Sequence, residues 1–474
     1  MSDTFSLSDY QIRIGSEDIV ERHLQGCLGA DGNVPTESQE KARESLDELL
    51  KEMRVRFGTI IKTDNVSFLI GAGASLKVGG ISLASIHNSL EKALIAKAID
   101  EQEQNGGKTP GWIMLFYKAV SILSKKNFTF KKRSQLFKIT KKTEVSSIEL
   151  NLEIFLSQLH TWHASMLDPA VMIQITSDPN LTIEYKALTS LIKEITSALT
   201  DLLNLPKSGL NEPLRNHRKF IKKILTRPLN LRRANIFTLN YDTLIEQAGD
   251  AEGAVLVDGF VGTLRRVFRP ESYDIDFYFP AQTTEGRVHR FDRALHLYKL
   301  HGSITWHRCE PDWENPFGLY TTFYNQDCYE DDVLIYPSPM KYGQALGMPY
   351  SELFRRFGNA IAQPQSALFV MGYGFGDDHV NALIRQALAI PSFTIVIVDP
   401  DPQSDFVLEL EKQGDERVWI VKGWELGTFD HFVEKLLPDL REEEIDTKVM
   451  KTFNAISSLS KMDTRDAVGA GDGE

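Results

Sequence analysis

The sequence predicts an α/β protein built on a doubly wound, mostly parallel sheet, and three observations carry that reading. Six short apolar runs rich in Val, Ile and Phe recur along the chain: VSFLIG (66–71), NIFTLN (235–240), HLYKL (296–300), VLIYP (333–337), ALFVMG (367–372) and TIVIVD (394–399). They do not alternate apolar with polar residues, which suits strands covered by helices on both faces. Helical patterns separate several of the runs, as the crossovers between parallel strands require. Finally, glycine, asparagine, histidine and aspartate lie just after the runs, and the active site of such a sheet lies at the carboxyl ends of its strands.

The remaining parts of the chain fit around that sheet in order. Residues 1–52 mix acidic and small polar residues and end in a helical pattern through Ala42, Leu46, Leu49 and Leu50, so they read as an N-terminal extension. A catalytic domain is expected over 53–440, interrupted by a helical insertion at about 86–225. Within the insertion Leu152, Phe155, Leu156, Leu159 and Trp162 form one apolar stripe, and Leu188, Leu191, Ile192, Ile195, Leu199 and Leu202 form a second. The tail 441–474 ends in DTRDAVGAGDGE, whose low apolar content cannot offset its ordering entropy, so a flexible tail is expected.

Composition narrows the function classes. With 474 residues, 42% hydrophobic and 25% charged, the chain is an ordinary globular one, long enough for one large domain or two. A formal charge of −12 argues against nucleic-acid binding through overall charge, which needs a net basic surface. Cys27, Cys309 and Cys328 are the only cysteines and no C-x-x-C pair occurs, so neither a disulfide framework nor a four-thiolate zinc site can form within the chain. The N-terminus lacks the order of a signal peptide and no run of about 18 apolar residues suggests a membrane span, so a cytoplasmic location is expected.

The first run empties into Gly71-Ala72-Gly73-Ala74-Ser75, with Gly79-Gly80 and a helix near Ser82 further on. Glycines there let a backbone approach a pyrophosphate, and a helix start offers it N–H groups; tight packing alone would equally call for them. The second run ends in Thr238-Leu239-Asn240-Tyr241-Asp242, which can aim a carboxamide and a carboxylate the same way, with Asp242 also able to cap the next helix. His301, in Leu300-His301-Gly302-Ser303, is a candidate general base. Gly372, Gly374 and Gly376 come after another strand, ahead of a helix capped by Asp377 or Asp378. Asp399, closing the last run, is placed to accept hydrogen bonds from ribose hydroxyls.

Taken in order, GAGAS, TLNYD, KLHGS and GYGFGDDHVN resemble the sirtuin-like family, specifically its divergent prokaryotic branch found in anti-phage defence systems, over roughly residues 64–425. The resemblance implies a Rossmann-like fold and NAD as substrate, with no metal. It implies that Gly71, Ala72, Gly73 and Ser75 approach the NAD phosphates, and that Asn240 orders the ribose and the attacking water. Asp242 would help hold the nicotinamide end, His301 would act on the ribose hydroxyls, Gly372 and Gly374 would line the nucleotide pocket, and Asp399 would face the adenosine ribose.

Two departures from sirtuin deacylases matter. Their zinc module with two C-x-x-C pairs is missing, and Ser82-Leu83-Ala84-Ser85 stands where they carry Pro-Asp-Phe-Arg. The implied reaction is therefore NAD hydrolysis to nicotinamide and ADP-ribose, with deacylation, ADP-ribosyl transfer or a non-catalytic regulatory role as alternatives. Exhaustive chelation is expected to leave both the thermal midpoint and the activity unchanged, and stoichiometric zinc in a metal analysis would refute this. His160-x-x-His163 reads as a packed or solvated helix face rather than a metal site. The basic stretches 125–142 and 215–233 read as solvated or docking faces, and direct nucleic-acid binding is not expected. Since an unrestrained NAD hydrolase would deplete its own cell, a regulated homo-oligomer is expected, its trigger being either self-assembly through the N-terminal extension and the helical insertion or a separately encoded partner, for which the resemblance suggests a HerA-type ATPase or an Argonaute-associated protein.

Overall fold

The computed structural model describes residues 6–29, 34–82, 85–123, 152–166, 173–174, 182–279, 289–322 and 349–441. Nine strands form the central sheet: β1 (Gln11–Ile14), β2 (Glu17–Asp18), β3 (Asn65–Ile70), β4 (Asn235–Thr238), β5 (Val255–Val257), β6 (Ala294–Lys299), β7 (Ser366–Met371), β8 (Thr394–Val398) and β9 (Val418–Lys422). Their spatial order is β2-β1-β9-β8-β7-β3-β4-β6-β5. From β3 to β9 every neighbouring pair is parallel, while β1 runs antiparallel to β9. Five of the six apolar runs are thus strands of one doubly wound sheet, and VLIYP lies outside the described residues.

The missing polar alternation has a direct structural cause. In β3, Val66, Phe68 and Ile70 face one core and Leu69 the other; in β8, Val396 and Val398 face the first and Ile395 and Ile397 the second. A period of two persists, but both faces are dry. The first core is closed by α1 (Ile19–Leu24), α2 (Gln39–Ile61), α7 (Arg215–Ile224) and α8 (Leu244–Ala251). The second is closed by α9 (Tyr350–Ile361), α10 (Asp378–Leu388) and α11 (Asp405–Gln413).

Four helices, α3 (Ile86–Gln104), α4 (Gly111–Leu123), α5 (Leu152–Ser165) and α6 (Tyr185–Leu203), build a third core of their own. Both predicted stripes lie in it, and Tyr241 and Ile304 pack against its edge. By contrast α7, inside the stretch read as insertion, buries Phe220, Ile221 and Ile224 in the first core beneath the sheet. Its basic residues serve as internal ties: Lys223 Nζ donates to the carbonyls of Val433 (2.7 Å) and Leu437 (2.6 Å), and Lys219 pairs with Glu434 at 2.9 Å. Stretch 125–142 lies outside the described residues.

The N-terminal stretch is integral to the sheet. β1 is bonded to β9 along Gln11↔Lys422 to Ile14↔Trp419, and α1 and α2 bury Ile19, Val20, Leu24, Leu46 and Leu49 in the first core. A four-residue strand carries too few positions to show a period, which is why it reads as extension. A separate antiparallel sheet of Phe260–Val261, Arg265–Phe268, Trp306–Arg308 and Leu319–Thr322 packs on the second core through Phe260, Phe268 and Trp306.

Candidate functional site

The register of the parallel strands brings the polar loops to one edge. Ile70 is level with Thr238 and with Met371, Thr238 with Lys299, and Met371 with Val398. Gly71, Leu239, Leu300, Gly372 and Asp399 therefore stand in a row at the carboxyl ends. From β3 the chain adds β4 and β6 on one side and then β7, β8 and β9 on the other, so the order reverses between β3 and β7. A crevice at such a reversal is where ligands of this architecture bind.

At the reversal two glycine turns interlock. A Cβ on Gly71 would stand 2.5 Å from the Gly372 carbonyl oxygen, and one on Gly73 would stand 2.7 Å from Gly372 Cα. Gly73 N–H donates to Gly372 O at 2.8 Å, and Gly372 itself has φ +64°. Close packing of two loops thus accounts for all three glycines. Gly372→Ala is expected to cost about 1–3 kcal/mol, because its Cβ would meet Ala74 N at 2.5 Å and its backbone is left-handed. Urea unfolding will check this, and an unchanged midpoint would show that the loops can part without loss.

Beyond these glycines the chain departs from expectation. Ala72–Val78 form a 3-10 helix ended by Gly79 at φ +92°, and α3 begins only at Ile86 rather than near Ser82. Ala72 and Gly73 remain half-buried, whereas Gly374 is exposed and a Cβ on it would find nothing within 4 Å, so open space lies beside Gly374.

Asn240, Ser75 and Asp242 converge. Asn240 Nδ2 donates to Ser75 Oγ (3.0 Å) and to Gly71 O (3.1 Å), while Ser75 Oγ donates to Asp242 Oδ2 at 2.7 Å. The two-residue spacing of Asn240 and Asp242 therefore clamps one hydroxyl. Asp242 Oδ1 accepts from Leu244 N–H at 3.2 Å, so the carboxylate also caps the start of α8.

Beneath this cluster lies Lys299, only 2% exposed, whose ammonium donates to the Asp242 carbonyl and to Glu246 Oε1 at 2.9 Å. Burial pushes the Glu246 carboxyl above its ordinary pKa, and Lys299 opposes the shift. His217, 2% exposed on α7, has its pKa lowered by burial while Asp242 and Asp430 pull the other way, so it is held neutral behind the cluster.

His301 comes just after β6, and Ile304 N–H donates to Tyr241 O at 3.0 Å, tying its loop to that of Asn240 and Asp242. The imidazole lies beside Tyr241 and Phe354 with ring centroids 6.4 and 6.3 Å away, and its Nε2 stands 3.2 Å from Asp377 Oδ2. Asp377 is the residue that sequence reasoning saw only as a helix cap. It does cap α10, through Oδ1 to the His379 and Val380 N–H groups at 3.0 and 3.4 Å, but its second oxygen meets His301.

Asp399 stands apart from this group. It lies next to Gly372, whose N–H donates to Val398 O, and its Oδ1 accepts from Asp401 N–H at 3.0 Å. Burial pushes its carboxyl up. Among the described residues no group of three or more His, Cys, Asp or Glu is arranged for a metal ion. His163 stacks on Tyr185 at 4.9 Å and bonds Thr189 Oγ1 at 3.1 Å, contacts between α5 and α6. No helix among the described residues is long and apolar enough to cross a membrane.

Residues 234–418, less than half of the chain, match the family model described as a SIR2-like domain. No curated protein matches the chain in sequence. Among solved structures it is similar to a Sir2 homologue in complex with NAD, at 11% identity over 84% of this chain and 94% of that one with a TM-score of 0.37. It is also similar to a structure described as the basis for the mechanism and regulation of Sir2 enzymes, at 10% identity over 83% and 99% with a TM-score of 0.33. Overlaps of this size leave the roles of residues to the geometry of this chain.

Proposed function

We propose that the chain is a sirtuin-like NAD glycohydrolase, in which water replaces nicotinamide at C1′ of the ribose to give nicotinamide, ADP-ribose and one proton. The observation that carries the reading is the clustering of Asn240, Ser75 and Asp242 at the carboxyl edge, beside the reversal of strand order, with His301 on the adjoining loop that Ile304 N–H ties to Tyr241 O. Matching of residues 234–418 to the SIR2-like domain supports it, since Asn240, Asp242, His301, Gly372, Gly374 and Asp399 all lie in that span.

The chemistry suits these groups. Departure of nicotinamide leaves positive charge on the ribose, which the Asp242 carboxylate stabilises as a fixed charge. Both Asp242 oxygens already hold an intramolecular hydrogen bond, so the residue works through charge and through the orientation of Ser75. Asn240, anchored by its amide nitrogen, orders the ribose and the attacking water. His301 takes a proton from a ribose hydroxyl as general base. In this reading Ala72 and Gly73 lie toward the phosphates, Gly374 leaves room for the nucleotide and Asp399 lies on the adenosine side, while Gly71 and Gly372 pack the two loops together and Ser75 acts through its bonds to Asn240 and Asp242.

The test is to incubate the purified chain with NAD, with and without an acylated peptide, and to quantify nicotinamide and ADP-ribose. Equal amounts of both without peptide are expected. Turnover only with peptide would assign deacylation, and binding without turnover a regulatory role. We extend the reading to a setting: an NAD-depleting effector of an anti-phage defence system, assembled as a homo-oligomer and triggered by a separate partner docking on α3–α6. Removing residues 1–50 cannot test assembly, because β1, α1 and half of α2 would leave the core. Mass in solution and substitutions on the exposed faces of α3 and α6 are the suitable probes.

A further inference from the structure

We infer that Asp377 is a positioning residue for His301: its carboxylate takes the Nε2 proton and so leaves the lone pair on Nδ1, the nitrogen that acts as base. The inference rests on the reading of His301 as general base.

The pair is built with care for geometry. An ionised carboxylate only accepts, so the proton shared across the 3.2 Å between Nε2 and Oδ2 belongs to the imidazole. A neutral imidazole carries one N–H, and fixing it on Nε2 makes Nδ1 the acceptor. Both side chains are largely out of water, at 12% and 10% exposure, so their interaction is weakly screened. When Nδ1 receives a proton from a ribose hydroxyl, the imidazolium that forms is already paired with a carboxylate that stays ionised.

Capping α10 would need only one oxygen of Asp377, and Oδ1 alone does that. The loop before it is shaped to bring the second oxygen to His301. Asp377 N–H donates to the Tyr373 hydroxyl at 3.0 Å, and that hydroxyl lies 3.2 Å from the Asp377 carbonyl. Phe375 holds φ +54°, a conformation a phenylalanine rarely adopts, and is pinned by stacking on Phe406 at 5.2 Å and by Asn381 Nδ2 donating to its carbonyl at 2.8 Å. A side chain held in an unfavourable backbone region by its surroundings marks a loop whose path matters more than its local stability.

Asp377→Asn separates the two duties, because asparagine caps a helix as well as aspartate does but turns an N–H donor toward Nε2, forcing the other tautomer. Steady-state kinetics should show kcat down at least ten-fold with KM for NAD and the thermal midpoint unchanged. Histidine side-chain nitrogen NMR, with His301 assigned through His301→Ala, should show Nδ1 as the unprotonated nitrogen in the wild type and a shift toward Nδ1–H in the variant. Wild-type kcat with an unchanged tautomer would overturn the inference, as would a drop in midpoint that accounts for the lost activity. If the wild-type chain turns over no NAD, the base reading fails on its own, and the tautomer comparison still decides whether Asp377 orients the ring.

Discussion

His301→Ala is expected to lower NAD turnover by about 10²- to 10⁴-fold, the range that removal of a positioned general base produces. The fold should survive, because His301 sits in a loop after β6 and contributes no side chain to the sheet's two cores. Asn240→Ala should act in the same direction, since it frees the Ser75 hydroxyl and the Gly71 carbonyl that its amide nitrogen holds. The check is nicotinamide release beside a thermal melt for each variant. Either variant turning over at the wild-type rate would remove that residue from the mechanism.

Lys299→Ala is expected to give the largest loss of stability. It would leave the Asp242 carbonyl and Glu246 Oε1 without their shared ammonium, beneath the site. Breaking a fully buried pair costs about 3–5 kcal/mol; here about 2–4 kcal/mol is expected, because the Glu246 side chain keeps 25% of its surface exposed. The sign of the pH dependence is set by burial, which raises the Glu246 pKa in the folded state and more so without Lys299. A raised acid is stabilising when protonated, so the deficit of the variant should narrow as pH falls toward the ordinary carboxylate range of about 4.3 and widen above it. Urea midpoints at two pH values measure this. A variant as stable as wild type at neutral pH would mean that the lysine anchors nothing.

Much of this architecture was legible in the amino-acid sequence. Continuous apolar runs announced strands buried on both faces, and the residues just after them proved to share one edge. Less visible were β1, β5 and β9. Three or four positions show no period, and VWIVK mixes a tryptophan and a lysine into its run. The site was legible where partners are neighbours in sequence, as with Asn240 and Asp242, and illegible where they are not. Ser75 was read as a phosphate contact, yet its hydroxyl is clamped between those two residues. Asp377 looked like a cap because capping is a local signal, whereas its contact with His301 spans a separation of 76 residues. Lys299 belonged to a recognised motif, but nothing in the motif says that its ammonium reaches back to the Asp242 carbonyl.

The pairing of β1 with β9 joins Gln11 to Lys422, near opposite ends of the described chain. Closing a loop of that span carries an entropic cost that must be met before the pairing forms, so this part of the sheet assembles late. During synthesis β1 has only the short β2 beside it until almost all of the chain has emerged, and a product that stops short of β9 exposes the edge of β8 to other chains. The same order of emergence applies to the site: His301 is made 76 residues before Asp377, so a growing chain carries the imidazole without the carboxylate that meets it in the finished fold.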